Sequence, residues 1–424
     1  MTEPTCCTDF ARATAVSRRR LLQGMAASGA LGATTAVFGD AFRQTAFAAT
    51  TGGNVLVVIS LRGGIDGLGV VVPHADPAYY AARPTIGVPV TALLAADATF
   101  GLHPSMKPLE WAFTSGELAA VHAVGLPVPN RSHFSAMEEV EDADPGSAAR
   151  RGWVNRMIGL GGRSEPSEAV HLSGSVLPTM LSGPAPAVAA DSLDRISLVG
   201  AEADDAQAGR RRSSLARMWR GDAALHRAYR SAARTVDQVA PVAGRDYAPE
   251  VPYPEAWPAT DLAAALRDTA ALIKADIGTE VVSIDYGSWD MHSDYGTLAG
   301  GDMTRMLAGF AGALDAFLRD LGPLRSRVTV VTISEFGRRV RENGNRGLDH
   351  GWGNVMLLAG AGVRGGRYHG RWPGLGSGAD PDGDLQVTTD YRDVLGEVVA
   401  HRFPDRSVGE VFPGRAQRPI GVMG

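Results

Sequence analysis

The chain has 424 residues, 45% of them hydrophobic and 21% charged, with 41 Lys and Arg against 46 Asp and Glu and a formal net charge of −5. That length exceeds a typical single core and predicts one large α/β domain with an insertion, or two domains. The mild acidity, with no basic run longer than Arg210-Arg211-Arg212 after the N-terminal segment, argues against nucleic acid as a partner.

The N-terminus reads as an export signal. Ser17, Arg18, Arg19, Arg20, Leu21 and Leu22 fit the twin-arginine pattern, a mild apolar stretch runs from Gly24 to Gly39, and Ala46, Phe47 and Ala48 form a small-residue cleavage site. Residues 1–48 are therefore expected to leave after passage through the twin-arginine translocase, with 49–424 as the mature chain in the periplasm, the cell wall or outside the cell. The apolar stretch is too short and too rich in glycine for a membrane span, and none is expected in the mature part. Cys6 and Cys7 both leave with the signal, so disulfides, thiolate metal sites and cysteine nucleophiles are excluded. Five arginines and three acids leave with them, which moves the net charge from −5 to −7.

Asn54 to Leu61 is an apolar, β-branched run and predicts the first central strand, with Gly63 and Gly64 turning the chain and Asp66 at the strand's carboxyl end. Asp66 there is a candidate ligand or a helix-capping residue. Pro108 to Gly116 predicts a helix and Leu118 to Val124 a second buried strand, followed by Asn130, Arg131, Ser132 and His133 and an acidic helix from Ser135 to Asp142. Ser132 sits where a hydroxyl would meet the free N–H groups of a helix start, a place that suits attack on a bound phosphate or sulfate. Trp153 to Leu160 predicts a helix and Ala169 to Leu172 a short strand. Residues 155–260 read as a cap or insertion, with a long helical pattern from Asp204 to Val239 and a proline-rich connection from Pro241 to Pro258.

Asp261 to Ala275 predicts an amphipathic helix, Thr279 to Tyr286 a strand, and Asp290, His292 and Asp294 follow with a period of two, which puts them on one side of an extended backbone. Two carboxylates bracketing an imidazole suit a divalent metal. Asp302 to Leu321 predicts a helix leading to the strand Val328–Ile333. A loop with Glu335, Arg338, Asp349 and His350 then lies ahead of the strand from Val355 to Ala359. In open α/β sheets ligands bind beyond the carboxyl ends of the strands, and this loop is where chemistry is expected. His226, His369 and His401 are expected to be structural or on the surface, and Asp390 to Arg402 predicts a closing helix.

Taken in order, the strand before Gly63, Gly64, Ile65 and Asp66, then Asn130 to Phe134, Ser288 to His292, Ser334 to Arg338 and Asp349 to Gly351, resemble the family known as domain of unknown function 1501 over nearly all of the mature chain. That family is in turn similar to the alkaline phosphatase and sulfatase superfamily. The resemblance implies a three-layer α/β sandwich with a mostly parallel central sheet and a cap insertion. It also implies Asp66, Asp290, His292, Glu335 and His350 as metal ligands and Ser132 as nucleophile. Asp290 and His292 are two residues apart, where the superfamily places its pair four apart, and the strand ending at Ser334 and Glu335 lacks the superfamily's Asp-His pair.

The function so implied is a metal-dependent hydrolase of a small phosphate or sulfate ester. One or two divalent ions would polarise the ester, Ser132 would attack, and Arg131 or Arg338 would hold the anion beside His133. Carboxylate and imidazole ligation points to zinc or manganese first, then calcium or magnesium. The alternative is an exported binding or assembly protein on the same fold, which the missing Asp-His pair favours. A cofactor-carrying oxidoreductase ranks third, because no dinucleotide fingerprint is present.

Overall fold

The computed structural model describes residues 53–424 except 145–146, 148–149, 163–164, 198–206, 244–246 and 377–382. The expected export signal lies outside the described residues. No helix among those described is long and apolar enough to cross a membrane.

The strands in chain order are β1 (Val55–Leu61), β2 (Val71–Val72), β3 (Gly101–Leu102), β4 (Leu118–Gly125), β5 (Ala169–Leu172), β6 (Val188–Ala190), β7 (Val281–Tyr286), β8 (Val328–Ile333), β9 (Asn354–Gly360), β10 (Tyr368–His369) and β11 (Thr389–Asp390). Nine of them form one sheet in the order β10-β4-β9-β8-β1-β7-β5-β6, with β11 beside β4, while β2 and β3 pair separately. Every pairing in the large sheet is parallel except those of β9, which is antiparallel to both β4 and β8. The mostly parallel sheet expected from the apolar runs is thus observed.

β1 shows why those runs form central strands. Val55, Val57, Ile59 and Leu61 point into one core, under helices Thr260–Ala275 and Asp302–Asp320. Leu56 and Val58 point into a second core, under helices Trp153–Gly159 and Tyr391–Arg402. A strand buried on both faces cannot alternate with polar residues, so all seven positions are apolar or small and buried. The two cores make three layers, helix on sheet on helix.

Residues 155–260 do not stand apart from this sheet. β5 pairs with β7 and β6 with β5, extending the sheet by two strands. The long helical pattern is two helices, Ala208–Met218 and Ala224–Ala243, with Gly221 between them. The proline-rich connection is pinned by the buried Asp320, which accepts from Tyr247 at 2.6 Å, Tyr253 at 2.9 Å and Lys274 at 2.8 Å. Other boundaries move by a residue or two: the acidic helix starts at His133, and the 108–116 helix is a 3₁₀ turn, Pro104–Leu109, running into Glu110–Thr114.

Because β1, β7, β8 and β4 all run one way and β9 runs the other, four strand ends and the start of β9 meet at one edge of the sheet. That edge carries the candidate site.

Candidate metal centre

Five segments deliver the side chains. β1 supplies Arg62 and Gly63, β4 leads to Arg131 and His133, β7 to Asp290 and His292, and β8 to Glu335 and Arg338, while Asp349 and His350 precede β9. Glycine is needed at the first of these. Gly63 has φ +110°, and a Cβ there would lie 2.7 Å from the Asp290 backbone nitrogen. Past β8 the loop folds back on itself through bonds from Gly351 to Gly337 (2.8 Å) and from Arg339 to Asp349 (3.0 Å), which returns His350 to the strand end.

Three imidazoles converge on one carboxylate. His350 Nε2 lies 3.0 Å from His133 Nε2 and 3.0 Å from His292 Nε2. Asp290 Oδ1 lies 3.2 Å from His350 Nε2 and 3.1 Å from His292 Nε2, and Asp290 Oδ2 lies 3.5 Å from His133 Nε2. The far nitrogen of every ring faces an oxygen: His133 Nδ1 reaches Glu335 at 2.9 Å, His292 Nδ1 reaches Asp349 at 3.1 Å, and His350 Nδ1 reaches the Arg131 carbonyl at 2.9 Å. Those partners select the tautomer with the proton on Nδ1 and leave the Nε2 lone pairs toward the cluster, where those of His133 and His350 meet an Asp290 oxygen. Phe336 packs against the His133 and His350 rings, with centroids at 4.9 and 4.7 Å, and fixes their planes.

Lone pairs so close together repel unless a cation lies between them. A zinc ion with imidazole nitrogens at about 2.0–2.1 Å in a tetrahedron sets them roughly 3.3 Å apart, close to the separations here. His133, His350 and Asp290 therefore fit a divalent ion, while His292 lies beside them, in contact with His350 and Asp290 but outside that set. In the protein without one, a proton takes that place. The Asp290 and Glu335 carboxylates push His133 up to about 9 against its burial. Burial raises both carboxyls, but the hydrogen bonds outweigh it and hold them below the usual range. Asp290 is held there by His133, His350 and Arg338, and Glu335 by His133 and the Gly63 N–H.

The structure brings together Asp290 and His350 of the residues expected as ligands and adds His133, expected only as a catalytic neighbour, while His292 touches His350 and Asp290 from outside that set. Glu335 stands one step behind, buried, accepting from Gly63 N at 2.7 Å and holding His133 in place. Asp66 is not brought to the cluster. Its carboxylate accepts from Arg83 at 2.6 and 2.9 Å and from the Tyr295 hydroxyl at 2.7 Å, and all three groups are buried. With a guanidinium matched to both its oxygens, the carboxylate serves as the counter-ion of Arg83 and not as part of the cluster.

Ser132 is exposed at the helix start, its hydroxyl caps nothing, and the next residue, His133, is the one that points inward. Arg338 is buried and fully engaged, donating to Asp290 at 2.6 Å and to the carbonyls of Gly63, Gly64, Trp289 and Leu348, so it braces the loops and is not free to hold an anion. Arg131 is paired with the buried Asp384.

Sequence reasoning missed Arg62 and Glu141. They are ion-paired in the lining of a cleft of about 580 Å³ that opens beside the cluster and is lined also by His133, Asp290 and Glu335. Arg62 Nη2 donates to Glu141 at 2.6 Å and its buried Nε is ion-paired with Asp285 at 3.1 Å, which leaves the other N–H groups of the two Nη atoms as the donors for an incoming oxyanion. Burial pushes Glu141 up to about 7 despite Arg62. Arg62 stood in the sequence next to the glycine turn, and its position at a strand end was the one available signal.

No curated protein sequence matches the chain. Among solved structures it is similar to the C-terminal periplasmic domain of EcEptC from Escherichia coli, in complex with Zn, at 9% identity and a TM-score of 0.35 over 86% of this chain and 88% of that one. It is also similar to the PsFucS1 sulfatase from Pseudoalteromonas sp., at 12% identity and a TM-score of 0.34 over 95% and 75%. A third likeness, at 10% identity and a TM-score of 0.32 over 86% and 72%, is to a protein in the alkaline phosphatase superfamily from Vibrio parahaemolyticus. A family model described as a protein of unknown function, DUF1501, matches residues 54–390. The chain belongs to the DUF1501 family.

Proposed function

We propose that this protein is an exported metal-dependent hydrolase of phosphate or sulfate esters, with a single divalent ion, zinc or manganese, held by His133, His350 and Asp290, with His292 beside them. One observation carries the reading: ligand atoms of His133, His350 and Asp290 all lie within 4.8 Å of one another, while Nδ1 of each of the two rings is held by an oxygen. An ion there would supply Lewis acidity toward an ester oxygen and make water a better nucleophile at neutral pH.

The chain's own groups do the rest. Glu335, Asp349 and the Arg131 carbonyl orient the imidazoles, and Arg338 holds Asp290 against the ends of β1 and β7. Arg62, at the cleft wall, is placed to hold the anionic oxygens of the ester. Hydrolysis adds water across the P–O or S–O bond, and this reading assigns no covalent role to Ser132. A second reading, a binding or assembly protein, is favoured by that same unoriented hydroxyl.

Metal analysis of the purified chain and of His350→Ala, with turnover measured on a panel of phosphate and sulfate esters, tests the proposal. Near-stoichiometric metal lost in the variant, with metal-dependent turnover, is the expected result. No metal after incubation with excess ions overturns it, and metal without turnover of any ester leaves the binding protein.

A further inference from the structure

The lining of the cleft is of two kinds. Arg62, His133, Glu141, Asp290 and Glu335 are its polar part, next to the metal cluster, and Phe134, Met137, Leu177 and Pro178 are an apolar wall, with Glu138 and Thr179 also in the lining. Phe134 is 88% exposed, although it directly follows a residue of the cluster, and Val176, just before Leu177, is 78% exposed. A phenyl ring left in water beside a charged centre gains nothing from folding, and clustered apolar groups at the mouth of a cleft mark a binding surface.

The cleft's carboxylates are already engaged. Glu141 accepts from Arg62, Glu335 from His133 and Gly63, and Glu138 pairs with Arg150 at 3.0 Å. A cationic or polyhydroxylated ligand would have to displace those partners, whereas an apolar group meets Phe134, Met137 and Leu177 with no polar atom to desolvate.

We infer that the substrate of this site is an amphiphile: an anionic phosphate or sulfate ester whose alcohol portion is an alkyl chain or aryl ring lying on Phe134, Met137, Leu177 and Pro178, with its head toward Arg62 and the metal cluster. The inference rests on the proposed metal-dependent reading and deepens it by naming the substrate class. The wall comes from two segments, the helix His133–Asp142 and the 176–179 turn of the region read as an insertion, so selection of the alcohol and binding of the ion lie on adjoining residues.

The test is calorimetric titration of the zinc-loaded chain with n-alkyl phosphonates from methyl to octyl, which need no turnover. Burial of each methylene against the wall strengthens binding by up to about fourfold, so Kd is expected to fall stepwise along the series. Phe134→Ala and Leu177→Ala, one exposed and one partly buried, are expected to flatten the dependence while keeping the metal and the affinity for methylphosphonate.

An arm with vesicles of neutral phospholipid containing phosphatidate separates the two sources of such a chain. Retention on the vesicles that Phe134→Ala abolishes assigns a membrane lipid, and chain-length dependence without retention assigns a dissolved ester. Affinity independent of chain length, or no binding of any phosphonate, overturns the inference, and hydrolysis of short polar esters by the same preparation would leave the hydrolase reading standing. Chain-length dependence with no ester hydrolysed would do the reverse.

Discussion

Asp66→Asn separates two roles that the sequence alone could not. If Asp66 were a metal ligand, the change would empty the site and leave the metal-free fold as stable as before. The structure gives the opposite expectation. The Asp66 carboxylate takes two bonds from the fully buried Arg83 and one from Tyr295, and Arg83 also donates to the carbonyls of Val340 and Arg339, tying the loop after β8 to the end of β1. An amide in place of the carboxylate leaves the guanidinium without its counter-ion and turns an NH₂ toward its donors. Leaving one member of a buried pair uncompensated costs about 3–5 kcal/mol. With roughly 370 residues between 53 and 424 and an unfolding entropy of about 2.1 cal/mol/K per residue, that loss lowers Tm by about 4–6 °C. Calorimetry of the metal-free variant beside its zinc content is the assay. Zinc retained with a lowered Tm is expected, and adding Arg83→Met to an Asp66→Leu chain should recover much of the loss, because a well-packed apolar pair removes the stranded charge. An unchanged Tm with zinc lost would refute the structural role.

Two further outcomes follow from the geometry behind the cluster. Glu335→Gln removes the charge that orients His133 Nδ1 without removing a metal-facing atom, so metal affinity should fall about 10–100-fold rather than vanish, read by competition with a chelator; loss equal to that of His133→Ala would contradict it. Metal uptake should also depend on pH. His133 is raised to about 9 in the metal-free protein, so below that pH an ion must displace its proton. Apparent affinity should therefore climb by up to about tenfold per pH unit between roughly 6.5 and 9 and level off above, with about one proton released per ion at pH 7. The same proton stabilises the metal-free fold fully below its unfolded value near 6.5 and ceases to do so as pH rises through about 9. Affinity flat across that window would remove His133 from the set of ligands.

The sheet was legible because its central strands are buried on both faces and so read as unbroken apolar runs. Val328–Ile333 and Ala169–Leu172 appear where those runs lie, to the residue. The edge of the sheet that carries the site was legible too, since chemistry-bearing residues follow four of the strands, β1, β4, β7 and β8. What each side chain faces was not. Asp66 stands at a strand end like a ligand, and its partners lie 17 and 229 residues away with no local signal. Ser132 and His133 exchange roles because the helix begins two residues earlier than its acidic stretch suggests, and a shift of one position turns a side chain from solvent to the cluster. Arg338 and Arg62 are both arginines at strand ends, and only their partners show that the first is spent on four carbonyls and Asp290 while the second, held by Glu141 and Asp285, lines the cleft. Residues 155–260 looked like an insertion because β5 and β6 are short and separated by loops, yet pairing with β7 makes them the flank of the same sheet.

The cluster is held in place before any ion enters. Arg338 joins the ends of β1 and β7 to the loop ahead of β9 by bonds to four carbonyls and to Asp290, Glu335 joins the β1 turn to His133, and Phe336 sits beneath two of the rings. A solvated surface patch of acids and imidazoles would have no reason to collect a buried arginine, a buried glutamate and a phenyl ring behind it, each desolvated at a cost that only a fixed arrangement in front can justify. Those partners hold the nitrogens where they repel one another, and such strain persists at a site whose occupant relieves it. A proton on His133 relieves it in part. A divalent ion would relieve it at His133 and His350 at once, with Asp290 to balance its charge, which is the physical reason a metal suits the centre better than a hydrogen-bonded network among histidines.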